Sequence, residues 1–74
     1  MDELKAQWIA TDAHHRGMVM MQLRKIAEQH EFDADRYAKL ADCPSEVKFV
    51  NDMYAVAKAS RLAVGILAAL EGES

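Results

Sequence analysis

The last third of the chain carries apolar residues on two opposite sides of one predicted helix. A helix over residues 45–71, with about 100° of rotation per residue, has an apolar stripe on one side. This stripe consists of Phe49, Val50, Met53, Val56, Ala57, Ser60, Ala63, Val64 and Leu67. A second stripe lies opposite, on the C-terminal half of the helix, and consists of Ala55, Ala59, Leu62, Ile66 and Leu70. A chain of 74 residues is too short to cover both, because a domain of that size hides only about 60% of its unfolded surface. We therefore expect the protein to associate, with the second stripe as the contact surface between copies or with a target.

Another long helix is predicted over residues 2–30. Asp2 can cap its N-terminus, and its apolar stripe consists of Leu4, Trp8, Val19, Leu23 and Ile26, flanked by Ile9, Met20 and Ala27. Gly17 lies in the middle of this helix, where it costs about 1 kcal/mol relative to alanine. This glycine marks the expected position of a kink or of the closest approach to a neighbouring helix.

A short helix over residues 33–41 is predicted between the two long ones. Asp33 can act as its N-cap, and Phe32 and Tyr37 have the spacing of a hydrophobic staple. Pro44 fits only the first turn of the last helix, and residues 72–74 are expected to form a disordered tail.

These elements predict an all-α fold with a single domain over residues 1–74. The two long helices have similar lengths, so we expect an antiparallel helical hairpin with the short helix at the connecting end. One hairpin leaves the second stripe exposed to water, whereas two copies bury it. The sequence therefore favours a four-helix-type homodimer.

Polar residues interrupt the apolar stripe in the middle of the first predicted helix. If the two long helices pair end to end, Asp12 and His15 lie opposite Ser60 and Arg61, and the four residues form a buried polar layer. Such a layer penalises shifted pairings, because a slip by one turn leaves Asp12 without its partner. We expect this layer to set the register of the helices.

The sequence predicts no catalytic site, no bound metal and no other cofactor. Asp12, His15 and Ser60 are the residue types of a nucleophilic triad, but the backbone N–H groups around a mid-helix serine are committed to the helix. Metal sites in helical bundles use glutamates on facing helices, and no acidic residue of the last predicted helix lies opposite His15. Cys43 is the only cysteine, which excludes an intrachain disulfide and suits a reducing cytosol.

Charge and hydropathy bear on the remaining classes of partner. The net charge is −3, with 12 acidic and 9 basic residues, so the chain lacks a long-range attraction for nucleic acid. The longest apolar run, residues 62–70, is about half of a membrane span, and the acidic N-terminus does not resemble a secretory signal. We expect a soluble, cytoplasmic protein that does not contact a membrane.

Methionines at positions 18, 20 and 21 lie too close together in sequence to face one core. We expect Met18 and Met21 to be partly exposed, on a surface that is buried between copies or that docks another protein. Methionine suits such a surface because its side chain adapts to irregular shapes.

In the absence of motifs for phosphate, cofactor or catalytic metal, the sequence favours a non-enzymatic protein-binding module that inhibits or regulates a larger protein. Small acidic helical chains of this type are frequent among phage and plasmid accessory proteins. The alternative is a nucleic-acid-binding regulator that uses a basic face of a helical dimer, formed by Arg24 with Lys25 or by Lys58 with Arg61. A contiguous stripe of arginine and lysine would favour that alternative.

Overall fold

The computed structural model describes residues 2–72, and it is all-helical. α1 spans Asp2–Ala10, α2 spans Ala13–Ala38 and α3 spans Pro44–Gly72, with no strand among the described residues. The all-α class predicted from the sequence is confirmed. α3 extends one residue beyond each end of the predicted 45–71. Of the predicted disordered tail, Gly72 belongs to α3, and residues 73–74 lie outside the described residues.

The first predicted helix is interrupted at Thr11 and Asp12. Asp12 has an extended backbone (φ −65°, ψ 158°), and its side chain accepts a hydrogen bond from the backbone N–H of His15 at 2.9 Å. Asp12 is therefore the N-cap of α2, a role that aspartate prefers to a helix interior because its carboxylate competes for backbone N–H groups. Gly17, where a kink or close approach was expected, lies within α2, and a Cβ built on it would have no neighbour within 4 Å.

The break predicted at Asp33 does not occur, because α2 continues to Ala38. The Asp33 carboxylate accepts hydrogen bonds from Gln29 Nε2, one turn earlier, at 3.1 and 3.2 Å. Phe32 is exposed and has the guanidinium of Arg36 5.8 Å from its ring centre, instead of forming a staple with Tyr37. The separate short helix predicted over 33–41 is therefore absent, and most of it is the last part of α2.

α2 packs lengthwise against α3 along a seam with the alternating three- and four-residue spacing of a coiled coil. Its members are buried or half-buried, and they are Met20, Leu23, Ala27, His30 and Ala34 in α2, and Val50, Met53, Ala57, Ser60, Val64 and Leu67 in α3. Most of the α3 stripe predicted from the sequence therefore lies in this seam. In α2 the buried row is Met20, Ala27 and Ala34, whereas the predicted stripe residues Val19 and Ile26 are exposed. The break at Asp12 allows α2 to be rotated relative to a continuous helix.

The side-chain pairs between α2 and α3 define how the two helices align. They are Glu31 with Arg61, Asp35 with Tyr54, and Tyr37 with Phe49. Residue numbers rise along α2 where they fall along α3. Arg61 was expected near Asp12, but it lies opposite Glu31, which is about five helical turns further along the chain.

The least exposed residues between the helices are alanines, whereas the larger seam residues, such as Met20 and Val50, keep some exposure. Ala27 and Ala34 are 0% exposed and Ala57 is 1% exposed, and among the described residues no large side chain is fully buried. Alanine allows two helix backbones to approach closely, but it removes little apolar surface from water. The larger apolar side chains therefore lie mostly on the outside of the helix pair.

α1 packs against the C-terminal half of α3 rather than extending α2. Leu4 and Trp8 line a cleft together with Ile66, Leu67 and Leu70. α1 has 9 residues and α3 has 29, so their lengths are about 13 Å and 43 Å at 1.5 Å per residue. α1 can cover only about a third of the length of the helix pair, and the remainder is a single layer of two helices.

Candidate binding surfaces

The structure does not bring the four residues of the predicted polar layer together within the chain. Asp12 and His15 lie at the exposed junction between α1 and α2, with about three-fifths of each side chain accessible to solvent. Ser60 is buried in the seam, and Arg61 is exposed on another side of α3. The cause is the Asp12 N-cap, which starts α2 at this point and leaves the expected partners of Ser60 and Arg61 elsewhere.

Asp12 and His15 form a local capping interaction instead. Besides the backbone hydrogen bond, His15 Nδ1 lies 2.6 Å from Asp12 Oδ2. The hydrogen bond from the His15 backbone N–H, followed by the contact with its side chain, lowers the pKa of the Asp12 carboxyl below its ordinary value. These interactions stabilise the charged carboxylate at the start of α2, where the helix dipole also favours a negative charge.

One side of the helix pair, which we call the polar face, consists of Glu31, Asp35, Tyr54, Lys58 and Arg61. These residues line one open cleft together with Leu62 at its border. Arg61 donates from Nε to Glu31 Oε1 at 2.6 Å and from Nη2 to Glu31 Oε2 at 2.9 Å, a two-point geometry typical of arginine and carboxylate. The hydrogen bond from Arg61 lowers the pKa of Glu31. Tyr54 donates its hydroxyl to Asp35, and this hydrogen bond raises the pKa of the Tyr54 phenol.

The polar face carries charges of both signs. Glu31 neutralises Arg61, and Asp35 lies on the same face, so Lys58 and Arg61 do not form a contiguous basic stripe here. This pairing reduces the attraction of the face for phosphate. It also favours the observed alignment of α2 against α3, although an ion pair as exposed as this one contributes little to stability.

The opposite side of the helix pair, which we call the apolar face, consists of Val19, Ile26, Tyr37, Phe49 and Val56. The rings of Tyr37 and Phe49 meet edge to face with their centres 6.0 Å apart, which places their two rows on one side. Val19 and Ile26 are seven residues apart in α2, as are Phe49 and Val56 in α3, so each pair is aligned along its helix. All five side chains are between 39% and 54% exposed.

The residues predicted as an oligomer or partner interface lie on two separate edges of the helix pair. Ala55, Ala59, Leu62 and Ile66 point away from α2, and we call them the outer edge of α3; Leu62 is 58% exposed and Ile66 is 52% exposed. Leu70, at the end of this edge, is half-buried and lines the cleft beneath α1.

Met18 and Met21 are exposed, but they lie on the edge of α2 that points away from α3. Met18 is opposite the buried row of Met20 and Ala27 on the helix circumference. The two predicted groups are therefore on opposite edges of the molecule, and one flat partner surface cannot contact both.

The apolar face is the feature that sequence reasoning missed. Phe49 and Val56 were assigned to the seam with α2, and Val19 and Ile26 to the seam with α3. A signal was present in the seven-residue spacing of these residues and of the alanines beside them. This spacing identifies the apolar face only when the break at Asp12 is known, because that break changes which row of α2 faces α3.

Few features of the described residues resemble a catalytic or metal-binding site. Among residues 2–72 there is no group of three or more His, Cys, Asp and Glu residues arranged to hold a metal ion. Cys43 is half-buried with its Sγ 3.2 Å from Ser45 Oγ. The surfaces described above are therefore the candidates for function.

Comparison with known proteins does not assign a function to the chain. No protein-family model, curated protein or solved structure matches the chain. By length and composition, α3 could also cross a membrane, since an 18-residue window in it has a mean hydropathy of 1.5 and only 6% of that window is buried. The core helix of a soluble protein passes the same test, so this is weak support for a membrane span.

Proposed function

We propose that the protein is a non-enzymatic helical protein-binding module that pairs with a second copy of itself and inhibits or regulates a larger protein. In this proposal α2 and α3 form an antiparallel hairpin, and two hairpins form a four-helix-type homodimer. The observation that carries the proposal is the inverted distribution of side-chain size. The least exposed seam residues are Ala27, Ala34 and Ala57, the larger seam residues keep some exposure, and further large apolar side chains lie outside the seam on the apolar face and on the outer edge of α3.

Exposed apolar area of this extent is characteristic of an interaction site rather than of a free monomer surface. The outer edge of α3 supports the role of a docking site for the larger protein. Ala55, Ala59, Leu62 and Ile66 carry no charge over about three turns of helix, and two small residues are followed by two large ones along this edge. An apolar ridge of this kind fits a groove or an amphipathic helix on a partner.

The polar face favours a protein target over a nucleic acid. A nucleic-acid interface needs several cations that are free to neutralise phosphates, whereas Arg61 is held by both oxygens of Glu31. We retain nucleic-acid binding as the outcome that the experiment below must distinguish.

We also propose a cytoplasmic, membrane-free protein. Every 18-residue window of α3 contains both Lys58 and Arg61, since the helix spans only Pro44–Gly72. Each of these side chains costs about 2.5 to 3.5 kcal/mol when it is placed near the centre of a spanning helix. A role as a packed helix, with Arg61 bound to Glu31 of α2, avoids that cost.

The proposal is tested by affinity capture from the source cell, with protein and nucleic acid quantified together. The wild-type chain should recover one protein in stoichiometric amount, and Leu62→Glu should lose it because the substitution places a charge in the apolar ridge. Ala68→Glu is the matched control, because it adds the same charge to an exposed position of α3 in the row of Tyr54 and Arg61. Recovery of a defined RNA or DNA, or equal capture by wild type and Leu62→Glu, would contradict the proposal.

A further inference from the structure

We infer that the second copy packs on the apolar face, so that Val19, Ile26, Tyr37, Phe49 and Val56 of one chain meet the same residues of the other. This inference rests on the proposed self-pairing and deepens it, because it assigns the pairing to a surface other than the outer edge of α3. The outer edge is then left for the larger protein.

The first argument is the amount of exposed surface. The accessible surface of the chain is 5468 Å², whereas a compact monomer of 8.3 kDa is expected to expose about 4,600 Å². The excess of about 900 Å² is close to the roughly 800 Å² that each partner buries in a standard protein interface. Pairing of two copies through one face therefore removes about the surface that the isolated chain has in excess.

The second argument is the missing layer. Helical domains bury their apolar stripes between at least two layers, and α1 supplies a second layer only over the end of α3 near Leu67 and Leu70. Outside the segment that α1 covers, the helices α2 and α3 form a surface two helices wide. A second α2–α3 pair has the same width and the same apolar character, so an identical face is the natural complement of this one.

The third argument is the state of the polar groups on the face. His30 lies between the rows of the apolar face, is half-buried, and has Nδ1 2.9 Å from the backbone oxygen of Ile26. Asp33, in the row of Val19 and Ile26 at the end near the α2–α3 turn, accepts hydrogen bonds from Gln29. Covering the middle of the face therefore leaves the His30 ring its hydrogen bond, whereas the Asp33 carboxylate, at the end of the face, must stay in contact with water because a buried charge needs an ion-pair partner.

The outer edge of α3 is a poorer surface for self-pairing. It is one helix wide, since α3 borders solvent on the side away from α2, and two of its four residues are alanines. A two-fold contact along a single helix edge buries less area than a contact two helices wide. The apolar face also unites aromatic with β-branched and aliphatic residues from both long helices, and aromatic side chains are enriched at the buried centre of interfaces.

Sedimentation equilibrium of the full chain from micromolar to near-millimolar concentration tests the assignment. Val56→Glu and Ile26→Glu should each weaken dimerisation by about tenfold or more, because each buries an unpaired carboxylate at the centre of the interface. Leu62→Glu, on the outer edge, and Ala68→Glu, in the polar row, are matched controls and should change the dimer dissociation constant by less than about threefold. Circular dichroism of each variant establishes that the monomer remains helical.

A measurement on the wild-type chain keeps the test valid if a variant unfolds. Hydroxyl-radical labelling below and above the dimer dissociation constant should decrease at Tyr37 and Phe49 on dimerisation, and it should stay unchanged at Met18 and Met21. A dimer that loses labelling at Leu62 and Ile66 instead, or that is broken by Leu62→Glu and not by Val56→Glu, would overturn this inference while the proposed self-pairing stands. A wild-type chain that stays monomeric at near-millimolar concentration would overturn both.

Discussion

The alanine seam makes a sharp prediction about substitution by leucine. Ala57 is 1% exposed and belongs to the α3 side of the seam, facing α2. Ala57→Leu adds three carbon atoms at a buried position between the helices, and such overpacking costs about 1 to 3 kcal/mol. A chain of 74 residues has a total stability of only about 4 to 11 kcal/mol, so the substitution removes a substantial fraction of it.

Thermal unfolding followed by circular dichroism measures this cost. For a domain of this size each kcal/mol shifts Tm by about 4 to 8 °C, so a loss of about 2 kcal/mol lowers Tm by about 8 to 16 °C. Ala55→Leu is the matched control, because it makes the same substitution two residues away on the exposed side of α3. The helix-propensity change is identical in both variants, so the difference between them reports packing alone.

The comparison is made at one protein concentration, since self-association makes Tm depend on concentration. A Tm for Ala57→Leu that is equal to that of Ala55→Leu would refute the description of the seam. It would mean that the helices have room for a large side chain at this position, and that the small interior residues do not set their separation.

Three further predictions concern charged and polar contacts. Asp12→Ala should reduce the helicity and Tm of the chain at neutral pH, because it removes the α2 cap. Since the folded pKa of Asp12 is lowered, the higher Tm of the wild type should persist above about pH 4 and vanish as the pH falls through the folded pKa. A difference in Tm from wild type that does not change with pH would contradict this. Glu31→Gln should lower Tm at low ionic strength more than at high ionic strength, since salt screens the exposed pair with Arg61; a salt-independent difference would count against an electrostatic contribution. The pKa of Tyr54 is raised by its hydrogen bond to Asp35, so Tyr54 should form phenolate at higher pH than it does in Asp35→Asn. The hydrogen bond should contribute stability below about pH 10, and this stability is lost as the pH rises through the folded pKa of Tyr54. Identical ultraviolet titrations of wild type and Asp35→Asn would show that the hydrogen bond is absent in solution.

The sequence was sufficient for the fold class and for the last helix, for reasons that are local. The high content of good helix formers and the single Pro44 at a helix start leave little competition from strands. The bounds of α2 were predicted wrongly because Asp12 and Asp33 are both good N-caps by residue type. Which of them caps is decided by tertiary packing, since Ala34 must enter the seam and Asp33 finds a partner in Gln29.

The candidate surfaces could be predicted only in part for the same reason. The exposed edge of α3, with Leu62 and Ile66, follows from the periodicity of that helix alone. The apolar face requires the rotation of α2 about its axis, and a two-residue break at Thr11 and Asp12 changes that rotation. Sequence periodicity fixes which residues share a row within one helix, but not which row meets the neighbouring helix.

The inverted distribution of side-chain size also has a thermodynamic consequence for how this protein acts. Among the described residues no large side chain is fully buried, although 51% of the residues of the chain are hydrophobic, so we expect the isolated chain to have a small stability margin. Binding to the folded form adds stability that grows with the partner's concentration, about 2.7 kcal/mol when that concentration is a hundredfold above the dissociation constant. For this chain that increment is between about a quarter and two thirds of a total stability of about 4 to 11 kcal/mol. If two copies pair through the apolar face, as we propose, their association is coupled to folding, and Tm should rise with protein concentration in the wild type but not in Val56→Glu.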